Sequence, residues 1–354
     1  MNTTSILEKI NEAISSLSDT IDKVDLNLKS AKSTCIAIEK KSNLIKNKIK
    51  EINKTQQDII FDALSKNQDN LSVKQDFFNS IPIPSPKIKG IQKAANFMLS
   101  LFDEICKKHD INYFLAYGNL LGAHRHKGFI PWDDDVDIMI LRDDLTKLLN
   151  ILSNDNNHDI FINKKIAKYG TQAWLSYRVR FSAFPEEGIA LSLYVFSYID
   201  DNSSETLDKL KAKSKELRKG LLYDFYCNEY PKIKINKSDL AIKMQELFDY
   251  CNTELDTLIA SNDTKKFVVA WPTCTPHWSF ILPTDTVLPP SHLEFNGKNY
   301  LVPNNPDYFL ETRYGNIWYL PNDIGKSHDF IQKNYDTWIQ KVEELIAKRS
   351  FNHE

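Results

Sequence analysis

The chain has 354 residues, a formal net charge of −2 and 42% hydrophobic residues. This length allows a large core and more than one structural unit. The slight negative charge argues against a general nucleic-acid binder, which needs an excess of Lys and Arg. No apolar run reaches the roughly 20 residues that span a bilayer, and the polar N-terminus is unlike a secretory signal. We therefore predict a cytoplasmic protein, with attachment to the inner membrane face through partners as an open alternative.

Residues 1–80 contain neither glycine nor proline, and from Leu17 apolar residues recur at alternating steps of four and three. This heptad pattern predicts a long helix that self-associates as a coiled coil, with a folded-back hairpin as the alternative. β-branched residues at d positions favour more than two strands. Four isoleucines take these positions: Ile38, Ile45, Ile52 and Ile59.

The segment "IPIPSPKIKG" at 81–90 is predicted to be a linker, because three prolines interrupt a helix. Residues 91–354 then mix helical and strand patterns without regular alternation, which predicts an α/β or α+β catalytic domain. It contains a predicted helical insertion at 204–262. The other predicted elements, in chain order, are a helix over 91–110, strands in "INYFLAYG" and "DVDIMIL", a helix in "RDDLTKLLNILSN", strands in "AWLSYRVRFSA" and "GIALSLYVFSYI", and a C-terminal amphipathic helix.

Four aspartates fall within five positions, at 133–135 and 137, where the "DVDIMIL" strand begins. Alternation along a strand places Asp135 and Asp137 on one face, about 7 Å apart at their Cα atoms. Carboxylates held this close repel each other unless a cation lies between them. Hard oxygen ligands suit Mg²⁺ or Mn²⁺ that shares its shell with substrate phosphates. For Asp133 and Asp134, two interpretations stay open: a solvated acidic loop, or a supporting role around the metal-binding pair.

Gly118 and Asn119 lie where a strand is predicted to pass into a helix, in "AYGNLLG". Free N–H groups at a helix start can bind an anion, although a glycine there is often only a turn. The positive charge of Arg125, between this turn and the aspartates, suits a diphosphate.

The stretch "YGNLLGAHRHKGFIPWDDDVDI" closely resembles the signature of the LicD family of phosphotransferases, which are related to fukutin and fukutin-related protein. The segment from Leu293 to Asn322 is similar to the C-terminal part of that family. Together the resemblance covers most of residues 95–325. It implies a nucleotidyltransferase-like fold with a mixed sheet.

The resemblance also implies an activity: transfer of a phospho-alcohol, such as phosphocholine or ribitol phosphate, from a CDP-linked donor to a sugar hydroxyl of a surface polysaccharide. CMP would leave. By motif position, Asp135 and Asp137 would bind Mg²⁺ or Mn²⁺, Gly118 and Asn119 would hold a phosphate, and Arg125 would neutralise it.

Two arginines in "YRVRF", Arg178 and Arg180, share a face if this segment is a strand. They are further candidates for phosphate contacts, with ordinary salt bridges as the alternative. Tyr314, with Tyr308 and Gly315, matches the C-terminal motif of the family and is a candidate substrate contact, although the tyrosines can equally serve in packing.

The sequence departs from the family at one point. Family members carry a later acidic segment of the "IDIFPLD" type, which aligns here with residues 191–197, so that Ser192 stands where a third carboxylate is expected. A third ligand could come from Glu186, Glu187 or Asp200, two ligands could suffice, or the domain could be impaired. Two other functions therefore stay open: an Asp-x-Asp glycosyltransferase that uses a nucleotide sugar, and an inactive scaffold for a polysaccharide-synthesis complex.

Overall fold

The structure is a computed structural model. The chain divides into two compact units, residues 1–73 with 319–322 and residues 74–318 with 323–354. The predicted insertion at 204–262 lies almost wholly outside the described residues, and so does most of the predicted coiled coil, which stays a prediction. The structure describes residues 70–154 except 84, 158–199 except 170–171 and 186–187, 267–270, 281–319 and 335–351, together with helical residues within 34–61 and four isolated positions between 205 and 212.

The second unit is built on a mixed sheet, as the sequence predicted. Strands β2 and β5 run parallel, and the other neighbours in the sheet are antiparallel. The spatial order is β1-β2-β5-β4-β3, with β6 beside the end of β5 and β7 beside β6, while β8 and β9 form a separate hairpin. The strands are β1 (Tyr113–Leu115), β2 (Val136–Leu141), β3 (Ile160–Tyr169), β4 (Gln172–Phe181), β5 (Leu191–Ile199), β6 (Phe267–Ala270), β7 (Ile281–Pro283), β8 (Ser291–Phe295) and β9 (Lys298–Val302).

Helices cover the sheet and connect its strands. None of those in the described part of the chain is both long and apolar enough to cross a membrane. They are α1 (Asn70–Asn79), α2 (Pro86–Lys108), α3 (Tyr117–His126), α4 (Arg142–Asn154), α5 (Thr284–Val287), α6 (Pro306–Tyr314) and α7 (Tyr335–Phe351).

Helix α2 begins inside the segment that the sequence predicts to be a linker. Pro86 takes the first helical turn, where its missing N–H costs nothing and its fixed φ suits a helix. The Ser85 side chain accepts a hydrogen bond from the Ile88 N–H at 3.2 Å and caps the helix. The last five residues of the predicted linker are therefore helical.

Both faces of the sheet are covered. On one face, the ring of Phe97 in α2 stacks on Phe181 of β4, with centroids 6.0 Å apart. On the opposite face, Tyr117 of α3 packs edge-to-face on Tyr194 of β5 at 4.8 Å. All six residues of β2 are buried as a consequence, including Asp137. The sequence predicts the apolar face of β2, but it does not show that the face with Asp137 is also covered.

Candidate active site

The turn from β1 into α3 is attached directly to the acidic strand. The Ala116 N–H donates to the Asp137 carbonyl at 3.0 Å, and helix α3 starts at the next residue. That residue, Tyr117, has φ of +46°, in the left-handed region that is unfavourable for a bulky side chain. Its ring is held by packing against Tyr194 and Phe309. This packing fixes a strained turn beside the aspartates.

Asn119 joins the turn to both aspartates. Its side-chain Oδ1 accepts a hydrogen bond from the Asp137 N–H at 2.6 Å, and its Nδ2 donates to the Asp135 carbonyl at 3.3 Å. The residue is 1% exposed. A single buried side chain therefore fixes the backbone of the two residues that carry the paired carboxylates. Sequence reasoning placed Asn119 at the site but expected it to contact phosphate, and this bridge was not foreseen.

Gly118 lies against a carboxylate. A Cβ atom added at this position would be 2.7 Å from Oδ2 of Asp133, so only glycine fits without displacing that side chain. The Asp133 backbone is held by Gln92, whose Nε2 donates to its carbonyl at 2.8 Å. The neighbouring Asp134 is 1% exposed. Asp133 and Asp134 are thus packed parts of the site wall, which differs from the solvated loop considered for them.

A row of three polar side chains crosses the central strands. In the strand register, Asp137 of β2 is opposite Ser192 of β5, and Ser192 is opposite Arg178 of β4. Residues directly opposite each other project from the same face of a sheet. The Arg178 guanidinium donates through Nη1 to Ser192 Oγ and through Nε to Ser176 Oγ, the latter at 2.9 Å. Ser192 is therefore adjacent to Asp137 and binds Arg178. The family resemblance leads us to expect a carboxylate at this position.

The second arginine of β4 makes a different contact. Arg180 projects from the same face as Arg178, as predicted for a strand. Its Nη1 donates to the Gly188 carbonyl at 3.4 Å, in the turn before β5. Arg178 donates a hydrogen bond to Ser192, the residue beside Asp137.

Arg125 is buried within the fold, at 2% exposure. Its Nη1 donates to the Ile317 carbonyl at 2.6 Å, its Nε donates to His126 Nε2 at 3.1 Å, and its guanidinium lies 4.0 Å from the ring centroid of Phe78. Burial lowers the pKa of Arg125 to about 10. Burial and the adjacent guanidinium also lower the pKa of His126 to about 3, so His126 is a neutral hydrogen-bond acceptor. The predicted contact between Arg125 and phosphate stays a prediction.

Tyr314 of the C-terminal motif lies near enough to the aspartates for their charges to act on its hydroxyl. Burial raises the pKa of Tyr314 above its usual range, and the charges of the nearby aspartates raise it further, whereas the Arg313 guanidinium lowers it. The same guanidinium lies 5.8 Å from the ring centroid of Tyr117. Tyr314 nevertheless keeps 40% of its surface exposed, much as Tyr308 does at 43% on the same helix α6. Arg313 was missed from the sequence, although its position immediately before "YG" in the family-like segment was an available signal.

Tyr194 completes the described wall of the site. Burial raises the pKa of its hydroxyl, the charge of Asp137 adds to this effect, and Arg178 opposes it. Tyr194, Asp137 and Arg178 therefore share one electrostatic environment. Alternation along β5 could have identified Tyr194 from the sequence, since it lies two residues after Ser192.

The carboxylates supply only part of a metal shell. Within the described residues, no group of three or more His, Cys, Asp or Glu side chains is arranged to hold a metal ion. Asp135 and Asp137 offer hard oxygen ligands, and Mg²⁺ commonly binds one or two carboxylates together with waters and substrate phosphates. Their chemistry therefore fits an ion that is shared with a substrate. The other acidic candidates, Glu186, Glu187 and Asp200, lie outside the described residues.

Comparison with known proteins found relatives of this chain by sequence. The chain is 22% identical to the lipopolysaccharide cholinephosphotransferase LicD of Haemophilus influenzae over 256 residues, which cover 67% of this chain and 94% of that protein. Uncharacterized proteins of Rickettsia prowazekii and Rickettsia typhi are 36% and 35% identical over 78 residues, or 20% of this chain and 29% and 25% of theirs. Residues 110–224 match the family model described as LicD/FKTN/FKRP, nucleotidyltransferase domain. Residues 110–224 are therefore similar to the LicD family domain, as the motifs in this part of the chain predicted.

Proposed function

We propose that the protein transfers a phospho-alcohol, such as phosphocholine or ribitol phosphate, from a CDP-linked donor to a sugar hydroxyl of a surface glycan. The similarity to a lipopolysaccharide cholinephosphotransferase supports phosphotransfer in glycan modification. The observation that carries the proposal is the bridge from Asn119 to the backbone of Asp135 and Asp137. This bridge makes the glycine turn and the acidic strand one rigid unit, as a site that holds a charged substrate requires.

In this proposal, Asp135 and Asp137 hold a Mg²⁺ or Mn²⁺ ion. The LicD family is generally dependent on divalent metal. When bound, the ion neutralises the diphosphate and orients it for in-line attack. Asn119 acts by positioning the two carboxylates. The first turn of α3, at Gly118, is the proposed contact for a phosphate oxygen.

Cationic and aromatic side chains around the proposed metal site contact the CDP-linked donor in this proposal. We assign Arg178 to the diphosphate and Tyr314 to the substrate side of the site. Arg125 is assigned an indirect role: its bond to the Ile317 carbonyl holds the C-terminal motif against α3. Arg180 is a less direct candidate, because its guanidinium binds the Gly188 carbonyl.

Isothermal titration of CDP and UDP into the full chain, with and without Mn²⁺, tests the proposal. We expect Mn²⁺-dependent CDP binding that is lost in Asp135→Ala and Asp137→Ala, while circular dichroism shows that both variants remain folded. Asp143→Ala is the matched control, because it removes an exposed carboxylate from the helix that follows β2. CMP release from a panel of CDP-alcohols then identifies the donor.

Other outcomes of the titration point to other functions. Binding of UDP conjugates in place of CDP would favour the glycosyltransferase. Absence of nucleotide binding under every condition would refute the enzyme proposal. It would favour the scaffold, a candidate supported by the location of Ser192 beside Asp137, where the family resemblance predicts a carboxylate.

We also propose that residues 1–80 mediate self-association and place the protein, in the cytoplasm or at the inner membrane face, among polysaccharide-synthesis partners. Support comes from the four isoleucines at heptad spacing, which lie in helical residues and are each at least 52% exposed: Ile38, Ile45, Ile52 and Ile59. Analytical ultracentrifugation of the full chain tests this. A double variant, Ile45→Lys with Ile52→Lys, is expected to lower the sedimenting mass to that of a monomer, and a wild-type chain that is already monomeric would refute it.

A further inference from the structure

The row from Asp137 through Ser192 to Arg178 places a cation on the same sheet face as Asp137, two strands or about 10 Å away. The three residues lie on neighbouring strands at matching register positions. Two hydroxyls, those of Ser176 and Ser192, accept hydrogen bonds from the Arg178 guanidinium and restrict its orientation. A side chain held in this way loses less conformational freedom when it binds a ligand.

The charge of Arg178 is not cancelled by its hydrogen-bond partners. Both partners are neutral, and no described carboxylate lies within ion-pair distance of the guanidinium. Its second terminal nitrogen, Nη2, makes no hydrogen bond to the described residues. Among the described residues, the guanidinium is therefore paired with no carboxylate, and its Nη2 has donors that no described residue uses. A fixed, uncancelled guanidinium matches the geometry of phosphate oxygens.

We propose that Arg178 is a built-in cation that binds the donor's diphosphate beside Asp137, and that Ser192 is the positioning residue that orients it. The inference rests on the proposed function and deepens it. A carboxylate at position 192 would form an ion pair with Arg178 and cancel its charge, whereas a serine orients the guanidinium and leaves the charge available. Diphosphate binding in this protein therefore has a component that does not require a metal ion.

Measuring diphosphate binding without metal separates the contribution of Arg178 from the metal dependence of the proposed function. Inorganic pyrophosphate and CDP are titrated into the full chain in the presence of EDTA and again with Mn²⁺. In EDTA, we expect Arg178→Gln to weaken pyrophosphate binding about ten- to hundredfold, the range for a hydrogen bond to a charged group. Arg180→Gln is the matched comparison on the same strand and face, and we expect a smaller loss there because its guanidinium binds the Gly188 carbonyl.

Ser192→Ala tests positioning through a double-mutant cycle. The change should weaken pyrophosphate binding in the wild-type background and have no effect in the Arg178→Gln background, because it acts only through the arginine. Equal effects in both backgrounds, or undiminished binding by Arg178→Gln, would overturn the inference. If Arg178→Gln does not fold, Arg178→Lys takes its place in the cycle, since it keeps a charge but not the two-serine geometry.

The same titrations keep this inference distinct from the proposed function. Metal-dependent CDP binding that Arg178→Gln leaves intact supports the metal-dependent transferase, but it refutes the built-in cation and the assignment of Arg178 to the diphosphate. Arg178-dependent pyrophosphate binding without preference for CDP supports the built-in cation and counts against a cytidine donor. A wild-type chain that binds neither ligand refutes both.

Discussion

The bridge made by Asn119 leads to a quantitative prediction for Asn119→Ala. The change removes two hydrogen bonds and leaves the buried Asp137 N–H without its acceptor at 2.6 Å. An unsatisfied buried donor costs about 1–3 kcal/mol, and the Asp135 carbonyl loses its donor as well. We expect the free energy of unfolding to fall by about 2–3 kcal/mol. At about 2–4 °C per kcal/mol for a large domain, the melting temperature should fall by about 4–12 °C.

Urea denaturation followed by circular dichroism measures this loss. Asn96→Ala is the matched control, because Asn96 accepts one exposed side-chain hydrogen bond, from Asn296 at 3.1 Å. We expect a change within about 0.5 kcal/mol for the control, as for most surface substitutions. Asn119→Ala should also weaken Mn²⁺-dependent CDP binding. If the unfolding free energies of the two variants agree, the bridge does not stabilise the acidic strand and the argument from Asn119 fails.

Three further predictions concern the fold around the site. Phe78→Ala should lower the free energy of unfolding by about 3–5 kcal/mol, because the fully buried ring packs against the Arg125 guanidinium; a loss below about 1 kcal/mol in urea denaturation would contradict this packing. The pKa of His126 is about 3 in the fold and about 6.5 when unfolded. Its stabilising contribution is therefore complete above pH 6.5 and is lost as the pH falls toward 3. The loss is at most about 1.4 kcal/mol per pH unit. The stability advantage of wild type over His126→Gln should therefore shrink between pH 7.5 and pH 5, and a constant difference would refute it. Asp103→Ala should destabilise by about 2–4 kcal/mol, since the buried Tyr113 hydroxyl donates to Asp103 at 2.7 Å; Asp103→Asn, which keeps an acceptor, is its control in the same denaturation assay.

Local sequence pattern was sufficient to predict the elements that carry the site. Alternation identified β2 and β4, and helical spacing identified α2 and α4, because the period of apolar residues is set by local backbone geometry. The same alternation predicted that Asp135 and Asp137 share one face, and this stays a prediction, because β2 begins at Val136 and Asp135 lies just before it. The start of α2 was misplaced, since the prolines of 81–90 were all interpreted as helix breakers, although Pro86 suits a first helical turn.

Contacts between distant residues were decided only by the tertiary structure. The sequence places Ser192 in a strand, but only the parallel register of β2 and β5 brings it beside Asp137, and only β4 adds Arg178. The use of Asn119 as a bridge and the burial of Arg125 depend in the same way on which side chain comes within hydrogen-bonding distance. Periodicity along an element predicts which face a residue occupies. Strand register and packing between elements determine which side chains that face contacts. The sequence alone therefore predicted the kind of chemistry at this site, because residue types and their spacing are local, whereas the tertiary structure decided which side chains surround the aspartates.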